Sequence, residues 1–398
     1  MKIIRPDDKI PTSYDKTIFL AGPTPRSATV ESWRPQVCEE LKKRGYTGVV
    51  FVPERENWKG NYIDQIKWED ECLNLADCIL FWVPRTIDMP AFTTNVEYGE
   101  WFKSGKIVLG FPEDAEKMRY LETKAKENFV PVSSTVRETV RNALSMVKDG
   151  ARRKDGERCI PLHIWNTKSF QDWYGSVKKA GNRLDGAKVL WSFRVGKDMS
   201  IVFSWIVHAD VYVTKEKRNK TNEFVFSRPD ISTVCAYYPN EILTKTEILL
   251  IKEFRTPCSN DLGMVLEIPG GSSKDSTEGN ISVAVHELKE EVGLDIEKKR
   301  FTAHQSRQIA STLSAHKAHL FSVELTDEEI KKVRKDVGKV RGVEEDTEKT
   351  YIELKTLQEL INEETLDWSM LGMVLQALSR AKFKNKNNNK DWVGNFIG

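Results

Sequence analysis

The chain has 398 residues, 61 of them basic and 59 acidic, for a net charge of +2, with 39% apolar residues, 23 Gly and 15 Pro. This is the composition of a globular chain of two or three domains; it excludes disordered and collagen-like classes, and it offers no field to hold nucleic acid or an anionic membrane. The longest apolar runs, such as Ile79-Leu-Phe-Trp-Val83, fall far short of the ~20 residues a membrane helix takes, and the charged start at Met1 does not read as a signal peptide. Six dispersed cysteines without a Cys-x-x-Cys pair read as reduced thiols, so the expected setting is cytoplasmic.

Strand and helix signals alternate over the first ~125 residues. A short strand over Lys16–Gly22 precedes a helix over Glu31–Gly45, and a buried strand over Gly48–Pro53 precedes a helix over Tyr62–Ala76. A strand over Cys78–Val83, a helix around Val96–Ser104 and a strand over Lys106–Phe111 follow. This alternation predicts an α/β fold, a doubly wound parallel sheet with helices on both faces, whose ligands bind beyond the carboxyl ends of the strands. The loops after Leu20, Val52 and Val83 are then the places to look for a site.

Around Lys148–Glu157 the sequence becomes charged, Gly-punctuated and aperiodic, which sets an expected domain boundary: 1–150, a Trp-rich connecting segment 151–195, a second domain 196–382 and a polar tail 383–398. Trp165, Trp173 and Trp191 are expected to plug a seam between domains. From Ile201 onward strands dominate, at Ile201–Val207, Ala209–Thr214, Thr233–Tyr238 and Glu247–Ile251, until one strong helix at Asn280–Val292.

On that helix Ile281, Ala284, Val285, Leu288 and Val292 share an apolar face, while Glu287, Glu290 and Glu291 project together from another. Three like charges so placed destabilise a bare helix, and hard divalent cations such as Mg²⁺ or Mn²⁺ would remove the repulsion. A solvated acidic face is the other reading. The surroundings add to the first: Gly270-Gly271, Glu278 and His286-Glu-Leu-Lys-Glu-Glu-Val-Gly-Leu294 resemble the Nudix box, G-x5-E-x7-R-E-U-x-E-E-x-G-U. One extra residue lies between Gly271 and Glu278, and His286 stands where the family has arginine.

That resemblance implies a C-terminal α/β/α fold with a mixed sheet, a metal held by Glu287, Glu290, Glu291 and Gly271, and hydrolysis of a diphosphate linkage. Ile248–Pro257 followed by Glu267-Ile-Pro-Gly-Gly271 further resembles the ADP-ribose pyrophosphatase branch, which makes Arg255 and Glu267 candidate substrate contacts. In the same branch a late loop supplies a further glutamate that orients the attacking water; Glu345 and Glu348 occupy the matching stretch. His316 and His319 form a His-x-x-His phrase without a second pair, and if Ala318–Val323 is a strand, His319 points either to the site or inward.

Residues 17–125 independently resemble the nucleoside 2-deoxyribosyltransferase-like family through Ile18-Phe-Leu-Ala-Gly-Pro-Thr24, Gln65-Ile-Lys-Trp-Glu69, Leu75–Arg85 and Thr93-Thr-Asn-Val-Glu-Tyr-Gly99. The resemblance implies that Glu97 attacks an anomeric carbon, with Glu69, where relatives commonly carry aspartate, handling the proton. Glu97 is expected at a helix start, where backbone N–H groups keep a carboxylate ionised. Gly22, Pro23, Thr24 and Asn95 would meet the substrate, Arg26 and Arg85 are candidate phosphate binders, and Asp77 is expected to be structural.

The expectation is a bifunctional nucleotide-metabolism enzyme with Mg²⁺ or Mn²⁺ as cofactor, small-molecule nucleotides as substrates, no nucleic-acid or membrane partner, and homodimer formation left open. Two coupled schemes fit: release of ADP-ribose from a dinucleotide followed by its hydrolysis, or trimming of a deoxynucleoside triphosphate followed by removal of the base. The alternative is a nucleotide sensor with one or both sites non-catalytic.

Overall fold

The computed structural model describes residues 1–25, 30–55, 61–87, 89–272, 279–341 and 349–379. It divides into two units, Met1–Arg228 and Pro229–Gly398. In the first, a six-stranded parallel sheet is built from β1 (Lys2–Ile4), β2 (Thr17–Ala21), β3 (Val49–Phe51), β4 (Cys78–Trp82), β5 (Ile107–Gly110) and β6 (Val132–Ser133). The spatial order is β1-β3-β2-β4-β5-β6. Strands β2 to β5 are buried along their whole length, which is why the sequence writes them as continuous apolar runs.

Helices α1 (Arg34–Lys43), α2 (Tyr62–Leu75), α3 (Phe92–Trp101), α4 (Arg119–Glu127) and α5 (Val136–Val147) connect these strands. Val37 and Leu41 of α1 share one core with Val140 and Ala143 of α5, against Ile18, Val50 and Leu80. Trp68 and Cys72 of α2, Tyr98 of α3 and Leu121 of α4 share the other, against Phe19, Phe51 and Phe81. Helices therefore cover both faces, as the alternation predicts. Because the chain leaves β2 for β3 on one side and returns to β4 on the other, a crevice opens where the order reverses.

Helix α3 begins at Phe92, earlier than the expected Val96, because Ala91 after Pro90 adopts a left-handed conformation (φ 58°) and sets the helix start there. The β-branched Thr93, Thr94 and Val96 hide this turn from helix propensity.

The charged run at Lys148–Glu157 lies inside the first unit. Its Arg153 is fully buried and donates to both Asp77 oxygens, at 2.7 and 2.6 Å, and to the Ile160 carbonyl at 2.6 Å. Asp77 also accepts from the Thr17 and Leu162 backbone N–H groups at 2.9 and 3.1 Å, so its role is structural. Composition registers the charge but not its burial. Beyond it, α6 (Lys168–Lys179) packs on an antiparallel sheet of β7 (Arg183–Val195), β8 (Ile201–Val213) and β9 (Arg218–Ser227). Trp165 and Trp173 belong to this core, with Phe170, Tyr174 and Trp205, while Trp191 stays half exposed and stacks on Phe193.

The second unit is a mixed sheet between two helical layers. Its strands are β10 (Ile231–Tyr238), β11 (Glu247–Phe254), β12 (Met264–Glu267), β13 (Gly270–Gly271), β14 (Lys317–Glu324) and β15 (Thr350–Thr356), together with shorter edge pairings. β14 runs parallel to β10, whereas β11 pairs antiparallel with β10, β12 and β15. Helices α7 (Asn280–Val292) and α8 (Asp327–Asp336) cover one face through Ala284, Leu288, Ile330 and Val333. Helices α9 (Leu357–Ile361) and α10 (Trp368–Leu378) cover the other through Leu357, Leu360 and Val374. The polar tail lies outside the described residues.

Candidate active sites

In the first unit the loops after β2, β3 and β4 converge on a cavity of about 360 Å³, within the range of small-molecule sites. Ala21 to Pro25 form one wall, Pro53, Tyr62, Gln65 and Glu69 another, and Met89 to Thr93 with Glu97 a third; Arg34 lies at its base. Gly22 holds φ +148°, and a side chain there would meet the Trp82 carbonyl at 2.2 Å and the Trp33 ring at 2.7 Å. Only glycine lets this loop run so close to the strand.

Glu69 and Glu97, predicted as the catalytic pair, both line the cavity. Glu69 accepts from Gln65 Nε2 at 2.9 Å, and burial pushes its carboxyl above the ordinary range. Glu97 lies in the second turn of α3, not at its start, so the first-turn N–H groups do not hold it ionised. Burial first, and the Glu69 charge second, push its carboxyl up to about 8, against the pull of Arg34. The pair is thus set to carry one proton near neutral pH, one acid beside one nucleophile.

Arg34 has no place in the sequence prediction, yet it organises the site. Fully buried, its guanidinium donates to the carbonyls of Leu20 (3.1 Å) and Gly22 (2.7 Å), to Thr24 Oγ1 (3.2 Å) and to Glu54 Oε1 (2.5 Å). It ties the loop after β2 to the loop after β3. The available signal was an arginine opening a helix directly beyond the Gly22–Thr24 loop. Gln65 was likewise missed; it links Glu69 to the Pro53 carbonyl at 3.1 Å. Arg85 and Asn95, predicted to bind substrate, stand apart from the cavity lining: Arg85 is buried and donates to Asn95 Oδ1 and to the Lys117 carbonyl. Arg26 lies outside the described residues.

In the second unit, the glutamates of α7 meet the glycine pair of β13. The Gly270 N–H donates to Glu291 Oε2 at 3.1 Å, and a side chain on Gly271 would lie 2.1 Å from the Glu287 carboxylate. Glu291 is pushed up to about 9, chiefly by burial and then by Glu287, with Glu253 and Glu267 adding to it. Arg255 bridges Glu253 at 3.0 Å and Glu267 at 2.8 Å. Glu290 stands more open to solvent, 3.5 Å from His286 Nδ1. Among the described residues, no three His, Cys, Asp or Glu side chains are gathered as a ready metal cage. The donor set nonetheless fits a hard cation in kind, since Glu287, Glu291 and the Gly271 carbonyl supply only oxygen. Glu278, Glu345 and Glu348 lie outside the described residues.

No helix among the described residues is long and apolar enough to cross a membrane. Residues 15–115 match the family described as nucleoside 2-deoxyribosyltransferase like, so the first unit carries such a domain. The matched span includes the cavity walls with Glu69 and Glu97, and it stops short of the second unit. No curated protein matches the chain.

Proposed function

We propose that the first unit cleaves or transfers the N-glycosidic bond of a nucleoside or nucleotide, with Glu97 as nucleophile and Glu69 as proton carrier. The observation that carries this reading is the pairing of these two carboxylates in one cavity at the reversal of strand order. Ionised Glu97 attacks the anomeric carbon, and the carbon–nitrogen bond breaks with its electron pair leaving on the base. In the reactive form of the pair the shared proton stands on Glu69, which passes it to the base. Water or an acceptor hydroxyl then attacks the glycosyl ester, releases the Glu97 carboxylate and returns its proton to Glu69. A 2-fluoro-sugar nucleoside or nucleotide should slow the second step and leave an adduct on Glu97, detected by intact-mass spectrometry and peptide mapping. An active enzyme whose E97A variant keeps full glycosidic turnover would dispose of the assignment.

For the second unit we propose hydrolysis of a nucleoside diphosphate linkage of the ADP-ribose kind, supported by the convergence of Glu287 and Glu291 on the Gly270–Gly271 backbone. Glu287, Glu291 and the Gly271 carbonyl would hold Mg²⁺ or Mn²⁺, which when bound polarises the diphosphate oxygens and lowers the pKa of the attacking water. Arg255, oriented by Glu253 and Glu267, offers a partly exposed guanidinium to a phosphate. Product analysis of the full chain with NAD, ADP-ribose and a panel of deoxynucleoside triphosphates, with and without Mg²⁺, decides between the two coupled schemes. Tight ADP-ribose binding without Mg²⁺-dependent release of AMP would turn this half of the chain into a sensor.

A further inference from the structure

A second cluster of polar side chains lies on the sheet face that α7 covers. His319, on β14, places its Nε2 3.0 Å from Asp230 Oδ2 and its Nδ1 2.6 Å from Ser306 Oγ. Asp230 is anchored in turn by the Lys317 N–H, which donates to its other oxygen at 2.8 Å. A carboxylate only accepts, so in the neutral imidazole Nε2 carries the hydrogen and Nδ1 presents a lone pair to a hydroxyl donor.

Sheet register places this group. Ser232 of β10 pairs with Gly271 on one side and with His319 on the other, so the three residues form one row across the sheet. Directly paired residues point to the same face. A side chain at Gly271 would point at Glu287, and Val234 and Phe321, each two residues further along its strand, pack against α7. His319 therefore stands on the face that carries the glutamates. Two inter-strand steps put its Cα about 10 Å from that of Gly271. That is too far to share an attacking water, but it suits the hydroxyls of a sugar attached to a diphosphate held at Gly271.

We infer that His319, oriented by Asp230, is the sugar-recognition element of this site, its Nδ1 accepting a ribose hydroxyl in the place that Ser306 Oγ occupies. The inference rests on the second unit's acting on a diphosphate-linked nucleotide. The geometry selects a hydroxyl over a phosphate: with Nε2 donating to Asp230, Nδ1 turns a lone pair outward, which accepts from a hydroxyl and offers a phosphate oxygen no hydrogen. Ser306, exposed at the surface, can be displaced.

Calorimetry of the full chain with ADP-ribose, beside Mg²⁺-dependent kinetics, tests it. H319A should weaken ADP-ribose binding and raise KM roughly tenfold, the loss of one good hydrogen bond, with kcat within about threefold. D230N should move the same way by less, H319Q should recover part, and S306A should tighten binding, since no hydroxyl of the chain then competes for Nδ1. Inorganic pyrophosphate, which lacks the sugar, should bind all four variants as it binds the wild type. Unchanged ADP-ribose affinity in H319A, or an equal loss for pyrophosphate, overturns the inference; should H319A melt early, D230N and S306A decide. If wild-type protein binds ADP-ribose without hydrolysing it, the pyrophosphatase reading fails while the recognition element stands. If wild type hydrolyses it and H319A matches its KM, the reverse holds, and a wild type that does not bind ADP-ribose overturns both.

Discussion

The two units crowd glutamates in different surroundings. In the first, Glu69 and Glu97 face a cavity, and the nearby Arg34 guanidinium is already committed to the carbonyls of Leu20 and Gly22, to Thr24 and to Glu54. In the second, Glu287 and Glu291 stand against a bare glycine backbone, with Glu253 and Glu267 adding further negative charge. Crowded carboxylates relieve repulsion either by keeping a proton or by binding a cation. A shared proton suits a nucleophile beside an acid, whereas all-oxygen crowding on a close-approach backbone suits a hard cation. If this contrast is right, damage to one site leaves the chemistry of the other intact.

The largest effect should come from the first site. E97A should lower glycosidic turnover by ~10⁴-fold or more, and E69Q by ~10²–10⁴-fold, the usual worth of a positioned proton carrier. Product analysis by chromatography measures both. Mg²⁺-dependent diphosphate hydrolysis by the same proteins should stay at the wild-type level, and its parallel loss would break the contrast between the sites.

The next effect concerns where the chain can be cut. We expect residues 1–228 to give a cooperative melt and residues 1–150 to lose about 3–5 kcal/mol, because removing Arg153 leaves Asp77 buried without its charge partner. Denaturant melts of the two fragments check this. A stable, active 1–150 fragment would restore the boundary that composition suggested.

In the second unit, E291Q should cost more than the ~10–100-fold loss typical of an outer-shell partner of a metal, since it replaces a carboxylate at the glycine pair. E290Q should cost less, because Glu290 stands more open to solvent, near His286. Hydrolysis of ADP-ribose across a Mg²⁺ titration separates the two. Equal, complete loss in both variants would mean that Glu290 turns inward when metal binds.

Much of this was legible because the information was periodic or local. The parallel sheet showed in its apolar runs, and the bounds of α7, Asn280–Val292, coincide with the predicted helix because apolar steps of three and four leave little freedom. Glu69 and Glu97 were legible as family phrases, and the cavity brings them together. Arg34 was not, because its work consists of hydrogen bonds to carbonyls, which sequence does not display. The charged run at Lys148–Glu157 was hard to read for a related reason: Arg153 looks like a surface charge until Asp77 is seen beside it. The protonation of Glu97 was misjudged because its burial and the Glu69 charge beside it, which sequence does not display, push its carboxyl up, while one left-handed residue, Ala91, moves it away from the helix start into the second turn.

The smallest effect is the one that probes the shared proton directly. Glu97 has a folded value raised from the ordinary 4.5 to about 8, so its contribution to stability is fully present below pH 4.5 and is lost as pH rises through about 8. The slope in that window can reach about 1.4 kcal/mol per pH unit, reduced by solvent at the cavity mouth. E97Q keeps the shape and removes the titration. Relative to wild type, it should gain on the order of 1–3 kcal/mol between pH 5 and pH 9. Thermal melts of both proteins across that range give the difference curve. The same proton should shape activity: because the reactive form of the pair keeps one proton, kcat/KM for glycosidic cleavage should fall as pH rises through about 8, with an apparent value belonging to the Glu97–Glu69 pair. In E69Q the proton carrier and its charge are gone, so this falling limb should vanish and the residual activity should instead rise with the ionisation of Glu97 at lower pH. A falling limb that persists in E69Q would mean that the two carboxylates act without sharing a proton.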